Sequence, residues 1–286
     1  MDNLNLHILT PNKHKKRFFG VDYFMNIATG YNPAFKYLST PLDPNTVYKE
    51  GPVSIHPEMY RFLESELSSK EKGSIIGIFQ NPDIYMACNS LLRIIEILEK
   101  YEMGLFLETS SPKIFNDLDK LVDFSKNNPL LIGITTSNIE PNLKILSETD
   151  SLSNTSKILN KLRQNNLNCG MILKPIIPQV NDDIDGFNQI LDTCVQCDAT
   201  FIYPTFTINF DSRKIKEFYN TIDLEFPNYM NYYYDKFGYK TSWETMNASE
   251  LKKNYVIKCR KHKVLYAMRD IINLYKPDLN IQMKLF

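Results

Sequence analysis

The strongest constraint on this chain is an alternation. Short apolar runs of strand length recur, each followed by a longer stretch whose apolar residues return at helical spacing. Five runs stand out, Ile75–Phe79, Leu105–Leu107, Leu130–Ile134, Cys169–Leu173 and Ala199–Tyr203, and Phe24–Ala28 makes a sixth near the start. The spacing predicts helices between them over Pro57–Ser69, Ser90–Tyr101, Lys113–Asn127, Ser153–Asn165 and Phe187–Gln196, several opening after Ser, Asn or Pro as helix starts do. Runs that are apolar almost throughout belong to strands buried on both faces. Consecutive β/α units of this kind imply an α/β fold with a parallel sheet, curved into a barrel or partial barrel, and place ligand chemistry at the C-terminal strand ends.

After Pro204 the pattern changes to Tyr- and Phe-rich helical stretches, roughly Ser212–Leu224, Asn228–Phe237 and Ser249–His262, with a polar tail from Lys276. The run Tyr229–Tyr234 has the composition of a base-stacking platform, but an aromatic stripe at helical spacing is more commonly core. The chain is long enough to bury a large core, and its 33 basic and 33 acidic residues balance, so no global field drives it to nucleic acid or an anionic membrane. Any nucleic-acid contact is therefore local, and the basic run Lys13–Arg17 is one place for it. With no apolar span and a polar start, the protein is expected in the cytoplasm.

Five scattered cysteines, Cys88, Cys169, Cys194, Cys197 and Cys259, do not make a disulfide framework. Cys194 and Cys197 have the spacing of half a zinc site but lack a second pair, and His7, His14, His56 and His262 form no metal face, so the expectation is no metal.

Two segments carry a family resemblance. Phe18–Gly30, which ends in Asn26-Ile27-Ala28-Thr29-Gly30, and Lys174–Pro178 resemble radical S-adenosylmethionine proteins of the spore photoproduct lyase-like group. The similarity extends over nearly the whole chain, through Phe201–Pro204, Phe218-Tyr219, Leu224–Pro227, Tyr234–Tyr239 and Met268–Ile272. It implies a radical-SAM-type partial β/α barrel over residues 1–204, a C-terminal helical extension over 205–275 packed on it, and a flexible tail over 276–286. In that family the Asn-x-x-x-Gly segment leads into CxxxCxxC, whose thiolates hold three irons of a four-iron cluster. Alignment on Gly30 puts Tyr31, Phe35 and Leu38 at those positions. The family's Lys-Ser after the third strand reads Ser110-Ser111, its Arg-Asp reads Asn116-Asp117, its acidic stretch after the second strand shrinks to Asn81–Met86, and the basic residue opening the fourth helix reads Thr155; Glu148 is retained.

The resemblance thus implies a pseudoenzyme that keeps the scaffold, with no iron–sulfur cluster; loss of the anchoring iron and basic positions argues against S-adenosylmethionine binding, while Ile176 and its neighbours retain a surface for an adenine. Only convergence of Cys88, Cys169 and the Cys194/Cys197 pair would restore thiolate ligands. The last five residues, Gln282–Phe286, resemble the bacterial sliding-clamp binding pentapeptide. Leu285 and Phe286 are its apolar anchors, Gln282 its polar contact, and Met283 stands in for a leucine.

Three functions compete on this reading. The first is a non-catalytic, DNA-associated or repair-related protein that reaches the sliding clamp through its tail. The second is an accessory subunit of an active radical SAM enzyme. The third is new chemistry at the barrel mouth, with Asp83, Glu108, Glu140 or Glu148 as acid or base, Tyr31 or Tyr85 as donor, and Asn81 and Ser110 as further mouth residues. The first is preferred, and binding is favoured over catalysis.

Overall fold

The structure is a computed structural model; it describes residues 8–14, 16–28, 53–79, 83–137, 151–210 and 215–276. In chain order the strands are β1 (Leu9–Pro11), β2 (Tyr23–Met25), β3 (Ile75–Ile78), β4 (Gly104–Thr109), β5 (Leu130–Thr136), β6 (Cys169–Leu173), β7 (Ile202–Pro204), β8 (Thr207–Asn209) and β9 (Ser242–Glu244). The first seven make one sheet in sequential order, with β1 antiparallel to β2 and every later pair parallel; β8 and β9 form a separate antiparallel pair.

Helices α1 (Glu58–Leu67), α3 (Leu92–Lys100), α4 (Leu118–Asn127), α5 (Leu152–Gln164) and α6 (Ile184–Gln196) connect the parallel strands, with a short α2 (Ile84–Ala87) after β3. Each presents one apolar stripe to the sheet: α3 buries Ile94, Ile95, Ile97 and Leu98, and α5 buries Ile158, Leu159 and Leu162. At roughly 1.5–3 kcal/mol per fully buried Leu or Ile, this outer layer dominates the fold's stabilisation. Starts are set by side-chain caps: Ser151 Oγ accepts from the N–H of Asn154 and Asp183 Oδ1 from that of Gly186.

Because every crossover lies on one side, the sheet curls around a lumen. That inner face is lined by Phe24, Ile75, Phe79, Phe106, Leu131, Ile172 and Phe201. It is narrow. A Cβ on Gly170 would lie 2.3 Å from the carbonyl oxygen of Phe201, so only glycine lets β6 and β7 approach there.

The C-terminal region has two roles. Helices α7 (Ile215–Glu225) and α8 (Met230–Lys236) pack with the β8–β9 pair around a core of their own, built from Phe210, Phe218, Tyr219, Tyr233, Phe237 and Trp243. Within the tyrosine run Tyr233 is buried, Tyr229, Met230 and Tyr232 pack partly buried against this core, and Tyr234 is half exposed and stacks on Tyr219 at 4.6 Å. Helix α9 (Ala248–His262) buries Leu251, Tyr255 and Cys259 against the outer layer, and Leu265 then bridges to Phe201 beside β7.

Helix α10 (Met268–Asn273), which the helical spacing did not reveal, crosses to the Phe18–Gly20 turn and clasps the open side of the barrel. Tyr275 donates its hydroxyl to the carbonyl of Phe19, the Phe19 N–H points at Met268 Sδ, and Lys276 Nζ meets Asp22 at 2.6 Å. The turn is strained. Phe18, Phe19 and Gly20 all have positive φ (48°, 57° and 74°), each phenylalanine costing about 1–2 kcal/mol, and a Cβ on Gly20 would sit 2.9 Å from Ile272.

Candidate functional site

The lumen fills from its base with aromatic rings. Phe19 stacks on Phe106 with ring centres 4.4 Å apart, Phe79 lies 5.0 Å from Phe106, and Phe24 lies 5.4 Å from Phe79. Two residues beyond Phe106 on the same face of β4 the character changes to polar. Glu108 is buried; its Oε1 accepts from Thr135 Oγ1 at 2.7 Å and pairs with Lys174 Nζ at 2.5 Å. Lys174, at 27% side-chain exposure, is the solvent-facing member of this group. Just past β5, Ser137 is buried, and its Oγ has no hydrogen-bond partner among the described residues. The loop after β6 is pinned to the same rim, because Asn181 donates to the carbonyls of Ser137 and Pro175 and accepts from the N–H of Ile177.

A second polar network lies outside the lumen, where β3 and β4 give way to helices. Asp83 caps α2 and accepts from the N–H groups of Tyr85 (3.0 Å) and Ser110 (2.9 Å) and from Thr109 Oγ1 (2.7 Å). Its burial raises the carboxyl above the usual aspartate range, and those hydrogen bonds only partly oppose the rise. The Tyr85 hydroxyl donates to Asp117 at 2.8 Å, and Asp117 also accepts from Ser90 Oγ and the Leu91 N–H. Lys113 Nζ bonds the carbonyl of Tyr85 at 2.7 Å, and Asn154 bonds that of Ser110 at 3.1 Å.

Of the sequence-predicted mouth residues, the structure joins Asp83 to Ser110 and sets Glu108 apart in the lumen. Asn81, Glu140 and Glu148, the degenerate cluster positions Tyr31, Phe35 and Leu38, and the tail residues Gln282, Met283, Leu285 and Phe286 lie outside the described residues. Sequence reasoning missed Lys174 as the partner of Glu108 and Asp117 as a structural hub. The signal for Lys174 was its parity: it continues the inward-facing series Gly170, Ile172 one step past the end of β6.

Among the described residues, the cysteines form no group that could hold an iron–sulfur cluster. The positions that the family resemblance assigns to the cluster thiolates carry Tyr31, Phe35 and Leu38, which lie outside the described residues; a phenol, a phenyl ring and an isobutyl group are not thiolate donors. The native cysteines lie elsewhere. Cys88 follows α2 near the mouth, whereas Cys169 opens β6 at the far end, Cys197 ends α6 and Cys259 lies in the last turn of α9. Burial pushes the Cys169 and Cys259 thiols up to about 12, the behaviour of inert core cysteines. Among the described residues, no three histidine, cysteine or carboxylate side chains gather as a metal site.

No protein-family model matches the chain, and no curated protein matches it. Solved structures do. Spore photoproduct lyase complexed with a dinucleoside spore photoproduct aligns over 96% of this chain and 78% of its own, with a TM-score of 0.54 at 14% identity. A cysteine-to-serine variant of that lyase aligns over the same shares, with a TM-score of 0.53 at 13% identity. A doubly substituted variant with bound AdoMet and the dinucleoside aligns over 94% and 77%, with a TM-score of 0.52 at 14% identity. The chain therefore has the radical-SAM partial-barrel fold in its spore photoproduct lyase-like form, with a helical C-terminal region. No helix among the described residues is long and apolar enough to cross a membrane.

Proposed function

We propose that this chain is a cluster-free, non-catalytic binding protein on a radical-SAM-type scaffold, associated with DNA and recruited to the bacterial sliding clamp through Gln282, Met283, Leu285 and Phe286. What supports the reading is the resemblance at Phe18–Gly30, which aligns Tyr31, Phe35 and Leu38 with the three cluster thiolates, together with the lack of any other donor set among the described residues. The mouth supports it. Asp83 and Asp117 each accept three hydrogen bonds that organise loops, and the Tyr85 hydroxyl is engaged by Asp117, which leaves these groups holding structure rather than awaiting a substrate. DNA association is supported by the fold shared with a lyase solved with a dinucleoside photoproduct, and clamp recruitment by the terminal pentapeptide.

Two measurements test this. Iron and sulfide analysis after anaerobic reconstitution, with an absorption spectrum, is expected to give a colourless protein; a stoichiometric four-iron cluster would overturn the reading. Purified protein is expected to bind sliding clamp and to lose binding on deletion of residues 282–286. Absence of binding by the full chain removes the recruitment step.

A further inference from the structure

The balanced total charge conceals a polarity along the barrel axis. At the mouth end three of the five connecting helices begin with acids, Glu58 in α1, Asp119 in α4, and Asp183 with Asp185 at α6, while α3 and α5 carry none in their first turns. At the opposite end α3, α4 and α5 finish with bases, Lys100, Lys126, Lys161 and Arg163, as helix dipoles favour, while α1 and α6 have none in their last turns. Several of these are neutralised locally by Glu64, Asp123 and Asp198.

Two further basic runs converge on that same end from distant parts of the sequence. Lys13, Lys16 and Arg17 follow β1 at the N-terminal end of β2, and the Asn12 side chain ties the start of this segment to the carbonyl of Val21 at 2.9 Å. Residues 260–263 close α9 where Leu265 bridges to Phe201, and Phe19 lies 5.8 Å from Phe201 between ring centres. The strained turn clasped by α10 therefore brings Lys13, Lys16 and Arg17 to the same end as Lys261 and Lys263. All five are exposed, and none has a carboxylate partner among the described residues. The acids of this neighbourhood are Asp270 in the first turn of α10, Asp22, which pairs with Lys276, and Asp198, which pairs with Arg163.

We infer that this basal face, opposite the barrel mouth, is a binding surface for the phosphate backbone of nucleic acid. The inference rests on the proposed DNA association and adds the face through which it occurs. A phosphate chain approaching the mouth meets acidic helix starts and the lysines Lys174 and Lys113, which are already engaged by Glu108 and by the Tyr85 carbonyl, whereas at the base it meets these five cations on two adjoining segments. Nucleic acid fits this surface better than an anionic membrane. Among the described residues, Ile257, one turn before Lys261 on α9, is the one exposed large apolar side chain that flanks these cations, and Met86, Leu92, Phe115, Leu224, Tyr234, Tyr239 and Met246 lie on other segments, so the face offers a single apolar anchor rather than the row that interfacial membrane binding uses. The surface also sits at the root of the tail, since Lys276 is fixed to Asp22 beside the same turn. A clamp-bound tail would hold this face toward the DNA that the clamp encircles.

The test is fluorescence anisotropy of a short labelled duplex and a labelled single strand across a salt series. The variant K16E/R17E/K261E/K263E reverses the basal charge, and K236E/K240E reverses exposed charge on the aromatic C-terminal unit as a control. Wild type is expected to weaken by roughly 10²-fold between about 50 and 200 mM salt. The basal variant should bind at least about tenfold more weakly, with a salt slope shallower by about 0.9 for each duplex phosphate it no longer neutralises; the control should match wild type. Equal weakening by the two variants, no oligonucleotide binding by wild type, or capture by phosphatidylglycerol vesicles without oligonucleotide binding would each overturn the inference. Protein lacking residues 282–286 should retain oligonucleotide binding, so failure of clamp recruitment is read separately.

Discussion

The Glu108–Lys174 pair gives the sharpest energetic test. Lys174→Met removes the ammonium while filling much the same volume, leaving a carboxylate at 1% side-chain exposure with the Thr135 hydroxyl as its remaining partner. Breaking one side of a buried pair costs about 3–5 kcal/mol; Lys174 is a quarter exposed and water reaches its former position, so the lower end, about 3 kcal/mol, applies. Glu108→Gln keeps the acceptor for Thr135 and leaves only the partly solvated ammonium unpaired, at about 1–2 kcal/mol. The double variant retains no uncompensated charge and should lose only about 1 kcal/mol, so the coupling between the sites is at least about 2 kcal/mol. Urea unfolding at neutral pH measures each value, and the melting temperature of Lys174→Met should fall by roughly 6–10 °C. A Lys174→Met cost below about 1 kcal/mol, or single costs that simply add in the double variant, would refute the buried-pair account.

Other outcomes follow from the same geometry. Asp83 has a folded-state pKa raised by burial, so it contributes stability that is fully present below its unfolded value near pH 4 and is lost as pH rises through the folded one. The stability difference between wild type and Asp83→Asn should therefore shift against wild type as pH climbs from about 4; a shift in the opposite direction would show that the carboxylate form is the one the site prefers. Gly170→Ala forces a methyl into the backbone of Phe201 at 2.3 Å and should cost at least about 1–3 kcal/mol in chemical denaturation, whereas Gly73→Ala, where nothing lies within 4 Å, pays only for its positive φ, about 1 kcal/mol. Tyr275→Phe deletes the hydrogen bond to Phe19 and should lower stability by about 1–2 kcal/mol; an unchanged urea midpoint would mean that the clasp is held by packing alone.

The barrel was legible because parallel strands buried on both faces must be apolar throughout: Cys169–Leu173 is both the apolar run and β6, and Leu130–Ile134 extends to Thr136 only because hydroxyls end the strand at the mouth. What escaped was short. β1, β8 and β9 are three residues each, too few to show alternation, and β8 finds its partner β9 more than thirty residues later. Helix α10 has six residues and owes its form to the Phe18–Gly20 turn rather than to its own periodicity. In the site, residue types near strand ends were readable, but their partners depend on register. Glu108 meets Lys174 because β4, β5 and β6 stagger so that Glu108 lies opposite Gly133 and Thr136 opposite Leu173, a relation between three strands that no local pattern encodes.

The α10 clasp also orders events in time. Every pairing from β2 to β7 joins strands adjacent in the chain, so the sheet can zip from neighbour to neighbour, whereas the Tyr275–Phe19 and Lys276–Asp22 contacts close loops of 256 and 254 residues. Opening that seam breaks no strand ladder of the parallel sheet, so it forms a low-energy route of subglobal opening, and amides around Phe19 and Tyr275 should exchange with solvent before those of β4 and β5. It is equally a point of exchange: α10 of one molecule presented to the Phe18–Gly20 turn of another gives a domain-swapped dimer, favoured wherever mild denaturant or high concentration holds the seam apart.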